Sequence, residues 1–222
     1  MNSIEGKSVK GAIIPASRFS TELRISNSRF IATIAPAFSV TDAKAFIREI
    51  NQLYSDASHN VPLYQIGSGS TVIAHSSDNG EPSGTAGRPA LAVLAGSGLA
   101  DTVMVITRYF GGTKLGTGGL VKAYSDAARS VIKAVPKARK VIVHQCLISS
   151  PYNLYEQLLR IINKSGSAIE REEFTEKVTI HFSIPIIFYD KLAAQIIDFT
   201  KGKFPVQIIS ENQTAIIPLS RK

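Results

Sequence analysis

The hydrophobic positions of this chain change period several times, and each change marks an element. Between residues 9 and 36 the period is two. "VKGAIIPAS", "TELRIS" and "SRFIATIAP" read as short strands, with Phe30, Ala32 and Ile34 alternating with Ile31 and Thr33 until Pro36 closes the run. "SVTDAKAFIREINQLYSDA" then takes a helical period. Ala43, Phe46, Ile47, Ile50, Leu53 and Tyr54 form one apolar face, Ser39 or Thr41 is a natural N-cap, and Asp42 suits the first turn. "VPLYQIGSG" and "STVIAHSS" return to strand patterns around Gly67 and Gly69, and "SDNGEPSGTAGRP" is turn chemistry throughout. "ALAVLAGSGLA" predicts a short helix of small residues ending at Gly96 or Gly98. "DTVMVITRYF" is an unbroken apolar run of strand length, which predicts a central strand buried on both faces. A glycine-rich loop leads to "LVKAYSDAARSVIKAV", a helix with Leu120, Tyr124, Ala127, Ala128 and Val131 on its buried face. Lys122, Arg129 and Lys133 lie on its outer face, with Asp126 among them, and Pro136 ends it.

The basic, proline-marked "PKARK" predicts a boundary between a first domain, 1–137, and a second, 138–222. Beyond it the patterns run strand ("VIVHQCLI"), helix ("YNLYEQLLRIINKSG"), strand ("AIEREEF"), strand ("EKVTIHFSI"), helix ("FYDKLAAQIIDFTKG"). A last strand pair follows ("FPVQIISE", "TAIIPL"). That β-α-β-β-α-β order is the signature of a ferredoxin-like domain.

Composition narrows the class. At 44% hydrophobic and 19% charged over 222 residues, the chain is globular and long enough for a sizeable core. Its single cysteine, Cys146, excludes an internal disulfide, fits a reducing compartment and reads as a buried thiol. No apolar run approaches the roughly 20 residues of a membrane span, and the first residues have no leader pattern, so the expectation is a cytoplasmic protein without membrane contact. The net charge is +8. Residues 1–140 hold 16 Lys and Arg against 9 Asp and Glu, a net +7, and residues 141–222 hold 9 against 8, a net +1. Such clustering favours a polyanionic partner for the first part.

The chemistry concentrates in two stretches. "TRYFGGTKLGTGGLVKAY" (107–124) puts Gly111, Gly112, Gly116, Gly118 and Gly119 within nine positions. It is not a triphosphate loop, because Thr117 stands where that motif needs Lys, and it lacks the dinucleotide G-x-G-x-x-G order. A glycine turn entering a helix still leaves backbone N–H groups directed outward, where the helix dipole favours an anion. Arg108, Lys114 and Lys122 flank it, Arg88 lies upstream, and Tyr109 and Phe110 can stack on a base. In "HSSDNGEPSGTAGRP", Asp78 and Glu81 are candidates for acid–base work or for holding Mg²⁺, with His59 as a further catalytic candidate. Turn and capping roles suit the two acids better. His59, His75, His144 and His181 have no metal spacing and one cysteine makes no zinc site, so no metal or cofactor is expected. His144 and His181 read as structural. A Ser83–His59–Asp101 triad can be assembled only from scattered parts.

Together "SRFIA", "HN" at 59–60, "SDNGEPSGTAGRP" at 77–89 and "VITRYFGGTKLGTGGLVKAY" at 105–124 resemble the IMPACT/YigZ family. The resemblance covers roughly the first 135 residues, and the remainder resembles the small C-terminal domain of the bacterial two-domain members. It implies an α+β protein, with an N-terminal ribosomal-protein-S5-domain-2/RNase-PH-like domain and a C-terminal ferredoxin-like domain similar to the last domain of the translocase elongation factor. Both folds are common on ribosomes and RNA. Eukaryotic relatives regulate translation through the amino-acid-starvation kinase pathway, using an extra N-terminal domain, whereas this chain opens directly on the family domain. It also departs from the family pattern: Asn79 stands where a second Asp is usual, and Val61 where Cys is usual.

These readings converge on an RNA- or ribosome-binding protein linked to translation, holding phosphates with Arg88, Arg108, Lys114, Lys122 and the Gly111–Gly119 backbone. The alternative is a metal-dependent phosphate-ester or nucleotide hydrolase using Asp78 and Glu81. A third is a protein-interaction module offering the sheet face of the second domain.

Overall fold

The computed structural model describes residues 11–219, apart from 68 and 70. Within them the chain is a two-domain α+β protein whose compact units are Ala12–Arg139, joined by residues 217–219, and Lys140–Ile216.

In the first unit, strands β1 (Ala12–Pro15), β2 (Phe19–Ile25) and β3 (Ser28–Pro36) follow the predicted runs, with Val9 and Lys10 outside the described residues. Ser26 and Asn27, both at positive φ, make the two-residue β2–β3 turn whose twist matches its strands. Helix α1 (Val40–Leu53) takes Ser39 rather than Thr41 as its cap, the Ser39 hydroxyl accepting from the Asp42 N–H at 3.0 Å. Its apolar face is shorter than its pattern: Ala43 and Ile50 are buried, whereas Leu53 is 57% exposed. β4 (His59–Ile66), β5 (Ile73–Ser76) and β6 (Thr102–Tyr109) complete an antiparallel sheet of order β2-β3-β6-β4-β5. The unbroken apolar run thus becomes the central strand, buried nearly throughout.

Helices α2 (Gly87–Gly96) and α3 (Gly116–Ala134) both begin earlier than their apolar patterns, for reasons given below. They cover one sheet face. Phe30, Ala32, Ile34, Val61, Leu63, Met104 and Ile106 meet Leu94, Leu120, Tyr124 and Val131 there. The intervening residues Ala35, Tyr64, Ile66 and Val103 face the other way, onto α1. The period-two alternation of the strands therefore builds a three-layer unit.

"PKARK" is the start of a strand, β7 (Lys137–Ser150), and the two units divide inside it. The second unit continues with α4 (Tyr152–Lys164), β8 (Ala168–Phe174), β9 (Val178–Pro185), α5 (Ile186–Thr200) and β10 (Gln207–Pro218). The predicted final strand pair is one 12-residue strand, with Asn212 at positive φ inside it. The sheet has five strands, in the order β1-β7-β9-β8 with β10 also paired to β7, so β7 and β9 are central. Cys146, Ile148, Ile180 and Phe182 pack there against Leu158, Ile162, Leu192 and Ile196 of the helices. No described helix is long and apolar enough to cross a membrane.

Candidate functional site

The register of the central strand assembles the site. Arg108 shares its sheet face with Met104 and Ile106, toward α2 and α3, and pairs across with Phe30 on β3 and His59 on β4. A guanidinium carried into that layer needs a countercharge, and Glu81 supplies it. Arg108 Nη1 lies 2.6 Å from Glu81 Oε1, with the two side chains only 6% and 3% exposed. The Tyr124 hydroxyl, from α3, donates to the same oxygen at 2.8 Å. Burial and that hydrogen bond push the Tyr124 phenol far above its usual range, so it stays protonated. The guanidinium also lies over the Phe30 and Phe110 rings, each 5.5 Å from its centre. Its Nε, although buried, has no hydrogen-bond partner.

The turn after β5 holds Glu81 in place. Asp78 accepts from Gly84 N at 2.8 Å, Ala86 N at 3.1 Å and Gly87 N at 2.8 Å. It thereby caps α2, whose adjacent Ala86 has no side-chain oxygen to do so, and the helix starts at Gly87. Desolvation raises the Asp78 pKa, but the three N–H donors and the Arg88 charge outweigh it and hold the carboxyl below its ordinary value. Asn79 and Gly80 take positive φ in the turn. The Asn79 side chain donates to the Asn60 carbonyl, and the Asn79 carbonyl accepts from His59 Nδ1 at 2.9 Å. Asn60 in turn accepts from Thr107 Oγ1 at 2.7 Å and donates to the Tyr54 carbonyl at 3.0 Å. The "HN" pair therefore ties strand, turn and helix end together.

A cavity of about 320 Å³ opens beside this network, lined by His59, Glu81, Arg108, Phe110, Lys114, Leu115 and the first residues of α3. That helix begins at Gly116, held at φ +71°, and its cap residue Leu115 offers no side-chain hydrogen bond. Its first turn carries no acidic residue, and Gly116, Thr117 and Leu120 line the cavity, so the positive dipole end of α3 lies beside it.

Of the proposed anion-binding set, Arg108, Lys114 and Gly116 line the cavity, whereas Arg88 and Lys122 do not. Gly111 has a packing role, since a Cβ there would sit 2.1 Å from the Asn27 carbonyl. Gly112 supplies a positive-φ turn, and Gly118 and Gly119 form the first turn of α3. Of the catalytic set, His59 and Glu81 line the cavity, while Asp78 is the cap of α2. Phe110 is 48% exposed and lines the cavity. Tyr109 does not line it: its hydroxyl donates to Asp56 and Arg29 covers its ring. Sequence reasoning missed Tyr124 as a polar partner, because its helical position marks it as core.

The Ser83–His59–Asp101 triad is not assembled. Asp101 precedes β6 and accepts from Gly67 N, whereas His59 pairs with the far end of that strand, about 20 Å away at a strand's rise per residue. Among the described residues no three His, Cys, Asp or Glu side chains form a metal-ligating group. Cys146 is buried, and desolvation with the nearby Glu170 charge pushes its pKa up to about 11. His181 sits against Glu173 and Arg171, and His144 packs edge-on against Tyr189, its Nδ1 without a hydrogen-bond partner.

Residues 26–132 match the Impact N-terminal domain, and residues 148–203 match a domain of unknown function, DUF1949. The chain is 30% identical over 200 residues to the IMPACT family member YigZ of Escherichia coli K12, covering 90% of this chain and 98% of that protein. It is 30% identical over 186 residues to the IMPACT family member YvyE of Bacillus subtilis 168, covering 84% and 85%. A crystal structure described only as that of a hypothetical protein overlays with a TM-score of 0.59 at 29% identity, covering 92% of this chain and all of that one.

Proposed function

The chain belongs to the IMPACT family, and from that premise we propose that its first unit binds RNA, free or within the ribosome, in a translation-linked role. A phosphate would sit in the cavity at the N-terminus of α3. The observation that carries this reading is that Lys114 and the start of α3, whose cap residue offers no side-chain hydrogen bond, line one cavity together with Arg108. An anionic oxygen there meets a lysine ammonium and unpaired helix N–H groups at once. The net +7 of residues 1–140 adds the field that draws a polyanion toward it.

The hydrolase alternative has less support. Both Asp78 oxygens are taken up by three backbone N–H groups, and Oε1 of Glu81 is taken up by Arg108 and Tyr124, so the two carboxylates do not form a paired metal site.

Salt-titrated binding of single-stranded RNA tests the reading. Affinity is expected to fall with salt, and Lys114→Ala to reduce the log–log slope by about one. A salt-independent affinity, or a slope unchanged in Lys114→Ala, overturns it. Arg108→Ala is the wrong probe, because it strands a buried carboxylate.

A further inference from the structure

We propose that the cavity takes one ribonucleotide and uses the imidazole of His59 to recognise a ribose hydroxyl, so that it prefers RNA to DNA. This rests on the phosphate-binding reading above. A pocket that took only an anion would need donors alone, and this one also presents an acceptor. The Asn79 carbonyl can only accept, so the 2.9 Å contact assigns the imidazole hydrogen to Nδ1 of His59. In the neutral imidazole Nε2 then carries the lone pair. It lies 3.9 Å from Glu81 Oε1, beyond hydrogen-bond reach, on a residue that lines the cavity. The turn holds this orientation, since a Cβ on Gly80 would stand 3.1 Å from His59 Nδ1.

The cavity thus has three chemically distinct walls. One carries donors: Lys114 and the start of α3. One is apolar, with Phe110 half-exposed beside Leu115 and Leu120, a surface for the face of a base. The third presents the His59 acceptor. Phosphate, base and sugar hydroxyl are the three parts of a ribonucleotide, and the 2′-hydroxyl is the donor that DNA lacks. A volume of about 320 Å³ suits a single such unit, being at the small end of the range for ligand pockets.

The test compares oligo(rA) with oligo(dA) of equal length on the full chain, in wild type, His59→Ala and His59→Gln, each across a salt series. Adenosine monophosphate and its 2′-deoxy form serve as competitors. The wild type is expected to bind the RNA about three- to tenfold more tightly, the worth of one hydrogen bond. His59→Ala loses that preference while keeping the salt slope, and His59→Gln, which retains an acceptor oxygen, keeps part of it. Competition by the free ribonucleotide but not its deoxy form assigns the site to mononucleotides; preference seen only with oligomers assigns it to RNA chains. Equal affinity for RNA and DNA with an intact salt slope overturns this inference and leaves the phosphate-binding reading standing. No binding of any of these probes overturns both.

Discussion

Arg108 illustrates how a residue's type and its role come apart. In the sequence it is a cation beside a glycine loop. In the fold it is a buried donor paired to Glu81, stacked on two aromatic rings, with its Nε left without a hydrogen-bond partner. Removing one partner of a buried pair leaves an uncompensated charge, which costs far more than the pair itself contributes. Arg108→Met is therefore expected to lower stability by about 3–5 kcal/mol in urea denaturation. Replacing Glu81 by Gln in the same chain should recover a large part of that loss. A loss below about 1 kcal/mol in the single variant, or no recovery in the double, contradicts the pairing. The identity of this pair was not legible in the chain, where 27 residues separate the two side chains. The β4–β6 register and the Asp78 turn bring them together.

At the scale of elements, most strands and helices follow their periodicities, and two departures at helix starts have a common cause in residues without apolar signal. α2 begins at Gly87 because its cap is Asp78, nine positions upstream, which a search for a neighbouring cap does not find. α3 begins at Gly116 through residues that read as loop, because glycines carry no apolar signal. The Asp78 cap has a consequence for pH dependence. Its folded pKa lies below the unfolded value of 3.8, so its stabilisation is present above that value and lost as pH falls through the folded one. Asp78→Asn should cost about 0.5–2 kcal/mol at neutral pH, as cap losses do. The gap from wild type should narrow as pH drops below about 4. Chemical denaturation between pH 7 and pH 2.5 measures it, and a gap that widens on acidification contradicts the assignment.

At the scale of the whole molecule, charge and fold divide together. Residues 12–139, which carry the cavity, hold 13 Lys and Arg against 8 Asp and Glu, a net +5, while residues 140–216 hold 8 against 8. The salt dependence of RNA binding should therefore originate in the first unit. Lys191→Ala combined with Lys203→Ala, both exposed in the second unit, is expected to leave the slope unchanged. A slope reduced by these substitutions as much as by Lys114→Ala would place the contacts elsewhere. The fold of the second domain was readable from the order of its elements, and that of the first was implied by its family resemblance. That the stretch "PKARK" runs into strand β7 was not readable, because its proline and charges carry no strand pattern.

The sequence alone determined most of the elements, the central strand and the skew of charge. Each depends on the period of apolar positions or on composition, and both are local properties of the chain. Only the tertiary structure decided that Asp78 caps α2 from nine positions upstream, that Arg108 faces inward to Glu81, and that His59 engages the Asn79 carbonyl through Nδ1. Those roles depend on strand register and turn geometry, which join residues too far apart in the chain for any local pattern to record.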